Sequence, residues 1–202
     1  MQAITRRRTQ PTITEQARQA QIVAAAIDTT AELGYGKASF AQIAKRAGLS
    51  STGLISYHFR ARKYLDAAVV GDIFDRLSRH MGEAMAGAGD PQAALVAYIE
   101  GVIDFMKVDP HALQALMSIV LHGAFEYDAD AEHSATSGIT DILRWGQADG
   151  VFRDFDVRVM ATTIQRALDG IPLAQMTDPG LDLDHYAREL VELFTRATRA
   201  QG

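Results

Sequence analysis

The chain contains no cysteine among its 202 residues, which excludes disulfides, thiolate nucleophiles and cysteine metal ligands. No run of about 18 apolar residues occurs, so a membrane-spanning helix is not expected. Arg6, Arg7 and Arg8 are not followed by an apolar stretch, so no secretory signal is read and a cytoplasmic location is expected. The apolar–polar alternation of a half-buried strand is nowhere sustained, and no internal repeat occurs. Signatures of catalysis are missing too: there is no glycine-rich phosphate loop, no H-E-x-x-H and no G-x-S-x-G. The six histidines are scattered, with no i, i+4 pair beside an acid that would suggest zinc. The acid pairs Asp128/Asp130 and Asp182/Asp184 read as solvated turns. An enzyme, a metal and a cofactor therefore find no support.

What is present is helical and divided in charge. Hydrophobic residues make up 48% of the chain, enough for a sizeable core, and the net charge is −5. Residues 1–63 hold ten Lys and Arg against three acids, a net of +7, and the remainder holds ten against 22, a net of −12. A basic head on an acidic body favours phosphate contact by one end only.

The stretch from Ser39 to Lys63, SFAQIAKRAGLSSTGLISYHFRARK, organises the rest. Ser39 with Gln42 three residues on is a capping box that starts a helix, and Phe40, Ile43, Ala44 and Ala47 form one buried stripe. Gly48 is placed to end it, because glycine takes the left-handed conformation without a Cβ clash. Ser50 or Ser51 can cap a second helix, on which Ile55 and Phe59 face inward. Thr52, Gly53, Ser56, Tyr57 and His58 are left largely outward. An exposed tyrosine beside a histidine, followed by Arg60, Arg62 and Lys63, suits a helix laid into a DNA major groove.

This run, A-Q-I-A-K-R-A-G-L-S followed by G-L-I-S-Y-H-F, a basic residue and Leu65, resembles the N-terminal domain of TetR/AcrR-type transcriptional regulators over about residues 18–70. The resemblance implies that Tyr57 and His58 contact DNA, that Gly53 is the small residue near the start of the recognition helix, and that Arg62 stands where a phosphate-binding lysine is usual. Three departures stand out: one extra residue between Gly48 and Tyr57, Ser56 where a first tyrosine is frequent, and arginine for lysine at position 62. Lys37, Ser51, Thr52, Leu54 and Lys63 complete the expected DNA-binding set. Leu54 is open between a thymine methyl contact and burial, and Arg6–Arg8 between a DNA-reaching arm and a solvated tail.

Around this motif, helices are predicted throughout. Thr12 and Glu15 cap the first, which ends at Gly34-Tyr35-Gly36 and packs behind the helix-turn-helix. From Ala61 a long helix with Leu65, Ala68, Val69, Ile73 and Leu77 on one face spans about 30 Å, at 1.5 Å per residue, and links head to body. Asp90-Pro91 and Asp109-Pro110 are start signals, and Glu126 to Asp130 is an acidic break. Further helices carry Ile139, Ile142, Leu143 and Trp145 up to Gly150, then Met160 to Ile171 after the cap Asp156, until Pro172 kinks or ends that helix. The last runs from about Asp184 with Tyr186, Leu190, Leu193, Phe194 and Ala197.

The expected architecture is all-α, with about nine helices: a three-helix DNA-binding domain over residues 1–63 and a ligand-binding and dimerisation domain over 64–202. The stripes of the last two helices either close the monomer core or form a dimer interface; the resemblance implies a homodimer through them. It also implies a small-molecule effector, for which Tyr98, Phe105, Met117, Phe125, Trp145, Arg166 and Asp169 are the candidate ligand-binding residues. The function expected is a sequence-specific regulator bound to double-stranded operator DNA, a repressor released by its ligand. The alternative is a helical protein-interaction module without specific DNA binding.

Overall fold

The computed structural model describes residues 13–125 and 128–200. The expectations on Arg6, Arg7, Arg8, Thr12, Glu126 and Tyr127 lie outside those residues. Among the described residues the chain forms α1 (Ile13–Leu33), α2 (Phe40–Arg46), α3 (Gly53–Phe59), α4 (Arg62–Met85), α5 (Pro91–Val108), α6 (Pro110–Leu121), α7 (Ala129–Ala148), α8 (Val157–Asp169), α9 (Ile171–Thr177) and α10 (Leu183–Thr198). The only pairing of extended backbone among them is an isolated antiparallel bridge between Phe152 and Arg199.

Local chemistry sets most of the ends. Ser39 accepts from the Gln42 amide at 3.3 Å, Asp90 from Ala93 at 2.8 Å and Asp156 from Val159 at 3.1 Å. Each satisfies an N–H that has no partner inside its helix. Gly48 closes the turn after α2 at φ +63°. Pro172 falls in the first turn of α9, where its missing N–H costs nothing, and so splits one expected helix into α8 and α9.

Three expected starts differ. Neither Ser50 nor Ser51 caps α3; Thr52 stands at that position without a side-chain cap bond, and the helix begins at Gly53. Asp109 precedes α6, but its carboxylate accepts from Arg76 at 3.0 Å instead of capping. The acidic break is half cap: Asp128 accepts from the amides of Asp130 and Ala131, so α7 starts at Ala129.

Two apolar cores follow from these helices. The first joins α1, α2 and α3 to the first half of α4, through Leu65, Val69, Val70 and Ile73. It continues into α6 through Ala112, Ala115 and Ile119, so packing does not divide at Lys63. The second lies around α5, which packs against α4, α7, α8 and α10. No described helix is long and apolar enough to cross a membrane.

Candidate DNA interface and ligand cavity

The helix-turn-helix presents one face of α3. Ile55 is fully buried and Phe59 lies in the head core, so the opposite side must face out. Tyr57 is 70% exposed, and its ring meets that of His58 edge-on with centroids 5.1 Å apart. Ser51, Thr52, Gly53 and Ser56 are exposed, as are Lys37 and Lys63, while His58 is half-buried. Leu54 is 37% exposed, which places it on the outward face rather than in the core.

Arg62 departs from the expectation. Its Nε donates to Asp66 Oδ1 at 2.7 Å, its guanidinium also donates to the Ala38 carbonyl, and the group lies 4.3 Å from the centre of the Tyr35 ring. Asp66 is 4% exposed and takes a second bond, from the Tyr35 hydroxyl at 2.6 Å. Burial and this carboxylate push the Tyr35 phenol up to about 12. Where an outward phosphate contact was expected, the arginine's fork is held by three internal partners, as a single ammonium could not be.

Between α3 and α4 the chain makes a turn that sequence reasoning missed. Arg60 has φ +55° and ψ −42°, and the Ala61 amide donates to the Phe59 carbonyl at 2.5 Å. This is a γ-turn of the strained positive-φ kind, and at a non-glycine residue it costs of order 1–3 kcal/mol. It sets the angle at which α4 leaves the recognition helix. Nothing in the residue type announces it.

In the body, α4, α5, α6, α7, α8 and α9 enclose a cavity of about 940 Å³. Its walls are mostly apolar, with Phe74 and Leu77 from α4, Val102 and Met106 from α5, and Leu113, Leu116 and Val120 from α6. Of the expected ligand residues, Tyr98, Met117, Phe125, Arg166 and Asp169 line it. Two do not. Phe105 sits in the first core, two turns along α5 from Tyr98, with its ring 5.6 Å from His80. Trp145 faces outward on α7, 38% exposed, and its indole N–H donates to Asp149 at 2.7 Å.

At one end of the cavity four polar side chains are joined in one chain. The Tyr98 hydroxyl donates to Gln165 Oε1 at 3.0 Å, Gln165 Nε2 donates to Asp169 Oδ1 at 2.8 Å, and Arg166 pairs with both Asp169 and Glu132. Burial, with Asp169 nearby, pushes the Tyr98 phenol up to about 12. Burial also raises the Asp169 carboxyl, opposed by the bonds from Gln165 and Arg166. Gln165 was missed in the sequence because an amide one residue from an arginine on an amphipathic helix carries no signal of its own.

No protein-family profile matches the chain. It is 36% identical over 107 residues to the HTH-type transcriptional regulator BetI of Yersinia pestis, covering 50% of this chain and 52% of that protein. The chain thus spans about half the length of the curated relatives it matches. A regulatory protein of the TetR family from Rhodococcus superposes with a TM-score of 0.77 at 21% identity, over 92% of this chain and 98% of that one. The fatty acid degradation regulator FadR of Bacillus halodurans gives 0.74 at 20% identity, over 94% and 97%. The chain thus has the fold of TetR-family regulators along most of its length and sequence likeness to a helix-turn-helix regulator over half of it.

Proposed function

We propose that the chain is a sequence-specific DNA-binding transcriptional regulator that works as a homodimer, a repressor released from its operator by a small molecule. The observation that carries this reading is Tyr57. A tyrosine 70% exposed on a seven-residue helix, whose other face is anchored by Ile55 and Phe59, packs edge-on against the neighbouring His58 ring and leaves most of its surface outward. Thr52, Gly53, Leu54, Ser56 and Tyr57 meet bases or nearby backbone. His58, Lys37, Ser51 and Lys63 hold phosphates, and the charge division of the chain orients the head toward them.

Release works through α6. One side of this helix lines the cavity with Leu113, Leu116 and Met117, and the next residue, Ser118, accepts from the Tyr35 backbone amide at 2.9 Å. His111 shares a 2.8 Å hydrogen bond with Asp28 on α1, and the His122 ring lies 5.5 Å from that of Tyr35. A ligand that shifts α6 therefore shifts the corner between α1 and α2. It acts only in so far as it binds one arrangement better than the other.

Dimerisation uses the outer rows of α8 and α10. Their inner rows, Ile164 and Leu168 with Leu190 and Phe194, close the body core. Val159 on α8 and Leu193 on α10 remain 62% and 57% exposed.

The test is fluorescence anisotropy with DNA from around the protein's own gene, against scrambled DNA of equal length, at two salt concentrations. A preference of ~10³-fold that weakens steeply with salt is expected, and Tyr57→Ala should abolish the preference without lowering Tm. Equal, weak binding of both DNAs would overturn the reading of α3.

A further inference from the structure

The cavity's polar end has a charge and a hydrogen-bond sense of its own, and together they say what kind of ligand fits. This inference rests on the reading of the cavity as an effector site and goes further, to the chemistry of the effector.

Most donors at that end are committed. The Tyr98 O–H is given to Gln165, one of the two Gln165 amide N–H groups to Asp169, and the Arg166 guanidinium to Asp169 and Glu132 together. Acceptor capacity remains, on the Tyr98 oxygen, which has lone pairs besides its donated proton, and on Asp169, whose two oxygens each take one bond from these partners. Among the described residues lining the cavity, Arg166 and Asp169 are the only charged ones, and Glu132 stands behind the arginine. One cation between two carboxylates leaves the group at a net of minus one. The remaining walls are mostly apolar, with the hydroxyls of Ser78 and Ser134 among them, and Ser134 donates to the Asp130 carbonyl of its own helix.

We propose that the effector is a largely apolar molecule ending in an amine, whose ammonium group docks between Tyr98 and Asp169, and that the cavity discriminates against the carboxylate of the same shape.

An ammonium group brings N–H donors to acceptors that have room for them, and it brings positive charge to a half-buried carboxylate whose desolvation it relieves. A carboxylate brings only acceptors, to a place whose donors are mostly engaged and whose net charge has its own sign. To bind through Arg166 it would have to compete with Asp169 and Glu132 for the same cation. A hydroxyl, which can donate but carries no charge, falls between the two.

The probes are decylamine, decan-1-ol and decanoate, three molecules with one tail and three heads. Each is titrated calorimetrically into the full chain at pH 7, below its micelle concentration. The amine should bind tightest and the acid weakest, with about tenfold or more between them, the scale of one charge-assisted hydrogen bond. Asp169→Asn should remove most of the amine's advantage and leave the alcohol unchanged, with circular dichroism to establish that the variant is folded. The amine-to-acid ratio in the unaltered protein stands as evidence even if the variant does not fold. Acid binding as tight as amine, or no binding by any of the three, would overturn the proposal. The same titrations followed by operator anisotropy separate the two levels: an amine that binds without weakening DNA affinity overturns ligand release, and specific DNA binding without amine binding overturns only the ligand class.

Discussion

The guanidinium of Arg62, at the first turn of α4, lies over the ring of Tyr35, in the corner between α1 and α2, at 4.3 Å from its centre. Both side chains bond the same carboxylate, Asp66, which is almost wholly buried. The start of α4 and the corner between α1 and α2 are thereby held together by one acid, one cation and one phenol.

Arg62→Ala should therefore act on stability before it acts on DNA. It leaves Asp66 buried with one partner fewer and frees the Ala38 carbonyl, at a cost of about 1–3 kcal/mol. Urea unfolding would show the loss, and Arg62→Lys should recover little of it. The salt slope of DNA binding should stay as it was, whereas Lys63→Ala should lower it by about one unit per half-site. A flattened slope for Arg62→Ala would return that residue to the phosphate contacts.

Which features were legible in the sequence follows from the range of the interactions that set them. Ser39, Gly48, Asp90 and Asp156 act on backbone within four residues, and all end or start a helix where expected. Asp109 looks the same in sequence, but Arg76, 33 residues away, claims its carboxylate. The outward face of α3 was legible because Ile55 and Phe59 fix its phase. The role of Arg62 was not, since Tyr35 and the Ala38 carbonyl, in the corner between α1 and α2, hold it inward beside Asp66 on its own helix. In the cavity, Tyr98, Val102 and Met106 stand four residues apart on one face of α5, yet Phe105 differs from Met106 by one position and lies in the other core. Trp145 is large and apolar enough to invite a place in a pocket, and only its bond to Asp149, on the exposed side, excludes it.

Tyr98 should make stability depend on pH at the alkaline end. Its phenol titrates near 10 in the unfolded chain and near 12 in the fold, raised first by burial and then by Asp169. The stabilisation is complete below pH 10 and is lost as pH rises toward 12, because the unfolded chain gives up its proton first. The full difference is about 2–3 kcal/mol. Urea melts at pH 9 to 12 should therefore fall less steeply for Tyr98→Phe, which starts about 1 kcal/mol lower through its lost bond to Gln165. Parallel curves would mean that the phenol titrates normally.

Gly146 should tolerate no side chain. A Cβ there would stand 2.0 Å from Cδ2 of Phe152, a buried ring whose own amide donates to the Gly146 carbonyl at 2.9 Å. The ring cannot withdraw without leaving the body core, so Gly146→Ala should cost about 3 kcal/mol or more. Gly138, on the same helix, is the control: its Cβ would meet Tyr98 at an ordinary 3.4 Å, and alanine there should be neutral or stabilising by up to about 1 kcal/mol. Thermal melts of the two variants give the comparison directly.

Leu193→Glu separates the assembly from the fold. Leu193 is 57% exposed on α10, between the buried Leu190 and Phe194 that hold this helix to α5, so a charge there leaves the body core intact. Across a two-fold axis the same change places two carboxylates in one apolar interface, where neither finds a partner. Light scattering should then report a monomer with an unchanged helical spectrum. DNA affinity should fall with it, by ~10²-fold or more, because two linked heads gain from effective concentration what one head alone cannot. A variant that stays dimeric would move the interface off α10, and a monomer that binds operator as tightly as before would mean that each head acts alone.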